Sequence, residues 1–207
     1  MQSTQDLNQV ITDRIVFLQQ FLRRPQQVGS IIPSSRFLER RIVKLADIAS
    51  ARVVVELGGG TGGTTRALLR ALSPTSKLVT IEINPQFCSL LGRIDDQRLT
   101  VHAGAAHELN EALGANGLPG ADAVISGIPF STMPRDAGLR VISAIWSALR
   151  PGGRFVAYQV SNKVAELATP TMGPAPARFE ILNIPPMRLY RWDKTAAHAT
   201  ARTEGQT

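Results

Sequence analysis

An apolar run that ends in a carboxylate and is followed by glycines has the clearest chemical meaning in this chain. Residues 53–57 read Val-Val-Val-Glu-Leu, and five glycines follow between positions 58 and 63. Three consecutive β-branched residues predict a buried strand. Glycines directly after it let the backbone turn closely around a ligand before a helix begins near Thr64. The pattern therefore predicts a loop that binds a nucleotide-like cofactor.

The carboxylate of Glu56 narrows the choice of cofactor. Gly58, Gly60 and Gly63 also fit the dinucleotide fingerprint G-x-G-x-x-G, whose loop holds a pyrophosphate at a helix N-terminus. A carboxylate two residues before the first glycine would repel that pyrophosphate, whereas it suits a ligand that carries an ammonium group. S-adenosylmethionine, which carries an ammonium and a sulfonium, has this character.

A second acidic residue, Glu82, ends the next predicted strand, 24 positions after Gly58. A carboxylate at that place can accept hydrogen bonds from both hydroxyl groups of a ribose. Nicotinamide cofactors and cofactors derived from methionine share this geometry. Glu82 therefore indicates a nucleoside without identifying it.

Strands and helices alternate around these residues. Five strand-like apolar runs are present, and they end at Leu57, Glu82, His102, Ser126 and Val160. Helix-like segments between them predict a parallel sheet with helices on both faces. Two last apolar runs, 179–184 and 187–192, stand too close together for a crossover helix and predict an antiparallel pair. The predicted fold is α/β, with a mainly parallel seven-stranded sheet.

The ends of the chain differ from this central part. Residues 7–22 carry apolar side chains at helical spacing beside arginines, which predicts an amphipathic helix. We divide the chain into this helix (1–24), one α/β domain (25–194) and a disordered tail (195–207). Ser34 or Ser35 is predicted to cap a helix over 37–45. Segment 168–177, which contains three prolines, is predicted to be a loop that covers the site.

Composition limits the partners and the compartment. The 207 residues include 23 Lys and Arg against 16 Asp and Glu, a net charge of +7, which favours an anionic partner: nucleic acid or an anionic membrane surface. No run of eighteen apolar residues occurs, so a membrane span is not predicted. Cys88 has no cysteine to pair with, and the three histidines lack zinc-ligand spacing, so no metal is predicted.

The spacing around the glycines resembles the class I methyltransferases, whose motif is an acidic residue, any residue and Gly-x-Gly-x-Gly. Four residues match it: Glu56, Gly58, Gly60 and Gly62. The resemblance implies S-adenosylmethionine as cofactor and S-adenosylhomocysteine (SAH) as product. It also implies that Glu82 binds the ribose, that Ile83 packs on the adenine, and that Ser34 or Ser35 closes over the methionine end.

Two segments after the third and fourth strands depart from the motifs of related enzymes. Ala105 and Ala106 lie where many methyltransferases carry Asp-Ala, so backbone amides or water would contact the adenine. Residues 126–130 read Ser-Gly-Ile-Pro-Phe, where adenine methyltransferases carry Asn-Leu-Pro-Tyr or Asn-Pro-Pro-Tyr. Gly127 replaces the Asn that accepts from the exocyclic amine, which impairs adenine recognition. Ser126 is predicted to contact the cofactor and orient the acceptor amine. Phe130 is either a wall of the methyl channel or a core residue.

Five blocks together resemble the bacterial phospholipid N-methyltransferases of the PmtA type, and they span residues 29–35, 56–62, 126–130, 149–156 and 185–192. This resemblance implies methyl transfer to the amine of phosphatidylethanolamine, giving monomethyl and dimethyl products and, on repetition, phosphatidylcholine. It also implies a cytoplasmic protein held on the inner face of the membrane by the helix 1–24, with no nucleic acid partner. No general base is evident from the sequence.

Three alternatives stand beside this prediction. The ribosomal RNA adenine N6-dimethyltransferases share the motif order, but they usually append a helical RNA-binding domain after the sheet, and this chain ends soon after Trp192. A methyltransferase for a soluble amine would work without a membrane and without residues 1–24. A membrane-associated module that binds S-adenosylmethionine without activity would yield no methylated product.

Overall fold

The structure is a computed structural model that describes residues 35–183 and 185–195. The predicted N-terminal helix over 1–24, Ser34 and the predicted tail beyond Thr195 lie outside these residues. The predictions made for them stay predictions.

Seven strands form one sheet in the order β3-β2-β1-β4-β5-β7-β6. Their bounds are β1 Val53–Leu57, β2 Lys77–Glu82, β3 Leu99–Ala103, β4 Ala121–Ser126, β5 Leu149–Gln159, β6 Arg178–Glu180 and β7 Met187–Asp193. Strands β1 to β5 pair in parallel, whereas β7 pairs antiparallel with both β5 and β6. The predicted α/β fold with a closing antiparallel pair is confirmed.

Six α-helices flank this sheet within the described residues, and their positions follow the apolar faces of the sequence. Their bounds are α1 Arg36–Ala46, α2 Gly63–Ala71, α3 Pro85–Leu91, α4 Leu109–Ala115, α5 Arg135–Ala148 and α6 Lys163–Met172. Helices α1 and α2 pack on one face, and α4, α5 and α6 pack on the other. The Ser35 hydroxyl accepts a hydrogen bond from the Leu38 amide, which confirms the predicted cap of α1. None of the helices in the described residues has the length and apolar content of a membrane span.

The alternation of side chains along β1 determines which residues lie beneath which helices. Val53, Val55 and Leu57 join the core cluster under α4, α5 and α6, whereas Val54 joins the cluster under α1 and α2. Successive strand residues point to opposite faces. Glu56 therefore lies on the same face as Val54, beneath α1 and α2.

The order of the strands creates a switch point between β1 and β4. The chain runs outward from β1 to β3 and then returns to β4 on the other side of β1. Ligands of open α/β sheets bind at the carboxyl ends of the strands where this reversal occurs. Here the Gly58 amide donates to Ile81 O at 2.8 Å and the Gly127 amide donates to Leu57 O at 3.2 Å. The loops that leave β1 and β4 therefore begin side by side.

The prediction of a loop over 168–177 is wrong for the first half of that segment. Residues up to Met172 belong to α6, and Pro170 lies inside that helix. Val164, Leu167, Ala168 and Met172 recur at helical spacing and are buried, so packing outweighs the proline. Strand β6 is also shorter than the predicted 179–184, since it ends at Glu180.

Candidate active site

The glycine loop after β1 packs against its neighbours so closely that side chains would not fit. Gly58 has φ +80°, and a Cβ there would lie 2.7 Å from Cγ2 of Ile128 in the loop after β4. Gly62 has φ +84° and precedes the first residue of α2. Only glycine adopts such dihedral angles without strain. The loop thus presents bare backbone at the switch point, as close approach of a cofactor requires.

Glu82 lies beside this loop, as predicted. Its side chain is buried, and its two oxygens accept hydrogen bonds from the Gly60 amide at 3.0 Å and the Asn84 amide at 2.9 Å. Next to it, 74% of Ile83 is exposed, which is unusual for a large apolar side chain. A buried carboxylate beside an exposed apolar side chain fits the ribose and the adenine of a nucleoside.

Glu56, which was predicted to contact an ammonium group of the cofactor, lies deeper in the protein than such a contact requires. The side chain is completely buried, and Oε2 accepts from Thr65 Oγ1 at 2.6 Å and from Thr80 Oγ1 at 2.8 Å. Oε1 has no partner in the described residues. Burial raises the pKa of Glu56 to about 7, although both threonine hydroxyls act against this shift. The carboxyl group thus joins β1, β2 and α2 from below the glycine loop.

The turn after β4 contains two residues that were predicted to act on the acceptor. Ser126 is completely buried, and its hydroxyl has no partner among the described residues. Phe130 is also completely buried, and it packs near Gly138 of α5. In this structure the Phe130 ring occupies the core and presents no face to a ligand. Gln159 Nε2 donates to Ile128 O at 2.7 Å and holds the turn in place.

The remaining predicted residues surround the same end of the sheet. The Gly104 amide donates to Glu82 O at 3.0 Å, which brings Ala105 and Ala106 beside the Glu82 strand. The Ala105 amide already binds Glu108 Oε2 at 3.1 Å. Ser35 lines an open cavity of about 580 Å³ together with Gly63, the first residue of α2. The structure therefore places the two alanines beside the end of β2 and Ser35 near the start of α2.

Sequence reasoning missed four residues of the site: Thr64, Thr65, Thr80 and Tyr158. Thr65 of α2 and Thr80 of β2 bind Glu56. The hydroxyls of Thr64, also in α2, and Tyr158 are 3.3 Å apart. Buried polar side chains within apolar elements were the available signal for them. Their partners depend on the tertiary fold. Among residues 35–183 and 185–195, no group of three or more His, Cys, Asp or Glu could hold a metal.

The strand order, the glycine loop after β1 and the acidic end of β2 define the class I methyltransferase fold. Residues 55–155 match the family described as methyltransferase domain. The O-methyltransferase of Bacillus cereus, solved in complex with SAH, superimposes with a TM-score of 0.63 at 15% identity, over 86% of this chain and 91% of that chain.

Two curated relatives refine this assignment. The ornithine lipid N-methyltransferase of Singulisphaera acidiphila is 32% identical over 157 residues, which are 75% of this chain and 79% of that protein. The ribosomal RNA small subunit methyltransferase A of Phenylobacterium zucineum is 32% identical over 96 residues, only 45% of this chain and 32% of that protein. The chain belongs to the S-adenosylmethionine-dependent methyltransferases, in the same family as the first of these relatives.

The site fits the cofactor of this family. The glycine-rich loop lies at the carboxyl end of β1, and Glu82 and Ile83 stand at the end of β2. These are the residues that would hold the methionine part, the ribose and the adenine. S-adenosylmethionine supplies an electrophilic methyl group, and the protein is an enzyme that transfers it.

Proposed function

We propose that this protein methylates the amine of a lipid headgroup at a membrane surface, with phosphatidylethanolamine as its substrate. The observation that carries the proposal is the similarity to a lipid N-methyltransferase across 79% of that relative. Similarity to the ribosomal RNA methyltransferase of Phenylobacterium zucineum covers 32% of that protein. Gly127 adds support, because it offers no side chain to recognise an adenine.

The chemistry needs a neutral amine in line with the methyl group. The nitrogen lone pair forms the new N–C bond as the S–C bond breaks, and the sulfur retains the electron pair. The methylated ammonium then loses a proton to water. The protein contributes by positioning the amine and excluding water at the switch point.

A surface of apolar and cationic side chains supports action at a membrane. It combines the outer side of α1 with β6 and the turn after it. We define this docking face as Arg36, Phe37, Arg40, Phe179, Ile181 and Leu182. All six are exposed, with 73% of Ile181 and 57% of Leu182 accessible. Apolar side chains among arginines suit the surface of an anionic bilayer, where they insert beside phosphate groups.

Two hydrogen bonds fix the parts of the docking face to each other. Arg41 Nη1 donates to Phe179 O at 2.5 Å, and the Ser35 amide donates to Asn183 Oδ1 at 2.8 Å. The Arg188 guanidinium also lies over the Phe179 ring, 5.3 Å from its centroid. The face is therefore a defined part of the folded domain.

A cavity leads from the docking face towards the cofactor loop. The open cavity of about 580 Å³ is lined by Phe37 and Leu182 on the docking face, and by Gly63 and Arg66 of α2. Gly63 directly follows the glycine loop. A headgroup amine could therefore approach the cofactor while its acyl chains stay in the bilayer.

Replacing Ile181 by aspartate should weaken binding to vesicles of phosphatidylethanolamine and phosphatidylglycerol about tenfold. The substitution removes an exposed apolar side chain and adds a charge that the anionic surface repels. Binding is measured by sedimentation with vesicles. Leu90→Asp is the control, because Leu90 is 39% exposed on α3, at the opposite edge of the sheet. Equal binding by the wild type and Ile181→Asp would exclude this face as the membrane contact.

The substrate itself is tested with the full-length protein and radiolabelled S-adenosylmethionine. We expect label in monomethyl and dimethyl phosphatidylethanolamine after extraction and chromatography of the vesicle lipids. Parallel reactions contain vesicles with ornithine lipid, soluble ethanolamine or ribosomal RNA. Label in ornithine lipid alone would show that the headgroup is that of ornithine lipid and not phosphatidylethanolamine. Label in RNA alone would overturn the proposal. Cofactor binding without any labelled product would overturn the proposed substrate.

A further inference from the structure

Tyr158 of β5 occupies the space beside Gly127, the residue that directly follows β4. A Cβ on Gly127 would lie 2.5 Å from Cζ and 3.0 Å from Cε2 of Tyr158, and it would overlap the phenol oxygen. The next residue of β5, Gln159, binds the same turn through Ile128 O. Any side chain at position 127 would therefore have to displace the tyrosine.

The phenol hydroxyl lies where three elements of the switch point meet. It is 3.3 Å from Thr64 Oγ1, in the first turn of α2. Gly127 beneath it is bonded through its amide to Leu57 O at the end of β1. Tyr158 is 8% exposed, so its side chain is buried among these elements. The hydroxyl thus stands between the turn after β4 and the helix that follows the cofactor loop.

The hydroxyl of Tyr158 suits a different substrate from the side-chain amide of the Asn that adenine methyltransferases carry at the position of Gly127. An amide presents a donor and an acceptor in one plane, which suits the edge of a base. A phenol oxygen can accept a hydrogen bond from an aliphatic amine without requiring a planar partner. The nearby Phe130 is completely buried, so its ring offers no stacking surface for a base.

We propose that Tyr158 determines the specificity of the acceptor site for aliphatic amines. Its ring excludes a side chain at position 127. Its oxygen accepts a hydrogen bond from an N–H group of the amine, and the nitrogen lone pair stays free for the methyl group. This inference rests on the proposed function, and it identifies one residue that selects the chemical class of the methyl acceptor. Methyl transfer then breaks the S–C bond as the N–C bond forms, and the excess proton leaves to water.

The test compares Tyr158→Phe with the wild type on vesicles that contain phosphatidylethanolamine. Loss of one hydrogen bond to the amine should reduce kcat/KM for the lipid about tenfold, mainly through KM. The Kd for S-adenosylmethionine should stay at the wild-type value, and the Tm should fall only by the small amount that loss of the contact with Thr64 Oγ1 causes. A merely structural role would change the Tm without changing the KM for the lipid. Tyr190→Phe is the matched control, since Tyr190 is the other tyrosine and is also buried.

The outcomes separate this inference from the proposed function. Lipid methylation by Tyr158→Phe with wild-type kcat and KM would overturn the role of Tyr158 and leave the proposed function intact. A parallel loss of cofactor binding would overturn it too. A wild type that labels only a soluble amine overturns the proposed function, and the same comparison is then made with that amine. A wild type that labels only adenine overturns both.

Gly127→Ala gives a second, independent measurement. The added Cβ must displace Tyr158, so we expect a loss of lipid methylation at least as large as that of Tyr158→Phe, with cofactor binding retained. The double variant Gly127→Ala/Tyr158→Ala removes the collision. Its Tm should therefore exceed the value expected from adding the two single effects. Additive effects on the Tm would show that the two residues do not compete for the same space.

Discussion

Replacing Glu82 by glutamine should raise the Kd for S-adenosylmethionine about 100-fold. Glu82 is buried at the end of β2, and both of its oxygens already orient amides, one of them in the glycine loop. Glutamine keeps one acceptor and turns an NH₂ group towards a backbone N–H or a ribose hydroxyl. Loss of a hydrogen bond to a charged group costs about 1.5–3 kcal/mol, which agrees with this change in affinity. Titration calorimetry measures it directly.

The control for this experiment is Glu108→Gln. Glu108 lies in the 3₁₀ turn after β3 and accepts from the Ala105 amide, but it does not contact the glycine loop. Its substitution should change the Kd less than threefold, which corresponds to a change of about 0.6 kcal/mol in the free energy of binding. If Glu82→Gln bound the cofactor like the wild type, Glu82 would be a structural brace of the loop and the ribose would be held elsewhere.

Local patterns were sufficient to predict the sheet and its cofactor loop. The run 53–57 is apolar because β1 is covered on both faces, and the glycines follow because the loop meets Ile128 without room for a side chain. The cap of α1 at Ser35 was also predictable, since capping depends on residues within one turn. Alternation of strands and helices was enough to predict the parallel pairing. The closing antiparallel pair was predictable because its two runs stand too close together for a crossover helix.

Contacts between distant elements were not predictable in this way. The burial of Glu56 follows from its position on the face of β1 beneath α1 and α2, where Thr80 of the neighbouring strand meets it. The collision of Gly127 with Tyr158 depends on β5 lying next to β4. Segment 168–172 was assigned to a loop because of its proline, although α6 packs against α5. In each case a tertiary neighbour decided the outcome.

The Glu56→Gln variant should become more stable relative to the wild type as the pH rises. The pKa of Glu56 is raised from 4.5 to about 7 by burial, so between these values the unfolded chain has lost a proton that the folded protein keeps. Wild-type stability therefore falls as the pH rises through this window and levels off above it. A shift of this size corresponds to about 3 kcal/mol, which glutamine removes. Urea unfolding at pH 4.5 and pH 8 measures the difference between the two proteins.

Cofactor titrations on the same two proteins separate the two roles open to Glu56. Contact between its carboxylate and the ammonium group predicts that Glu56→Gln binds S-adenosylmethionine more weakly at pH 8, where the wild type is ionised, and nearly equally at pH 5.5, where Glu56 is neutral. Equal affinities at both values, together with the expected stability difference, would make Glu56 the residue that joins β1, β2 and α2 beneath the loop. A stability difference that does not change with pH would contradict a buried, neutral carboxyl group. The acidic residue of the glycine motif would then be ionised in the folded protein, and its unpaired oxygen would require a cationic partner.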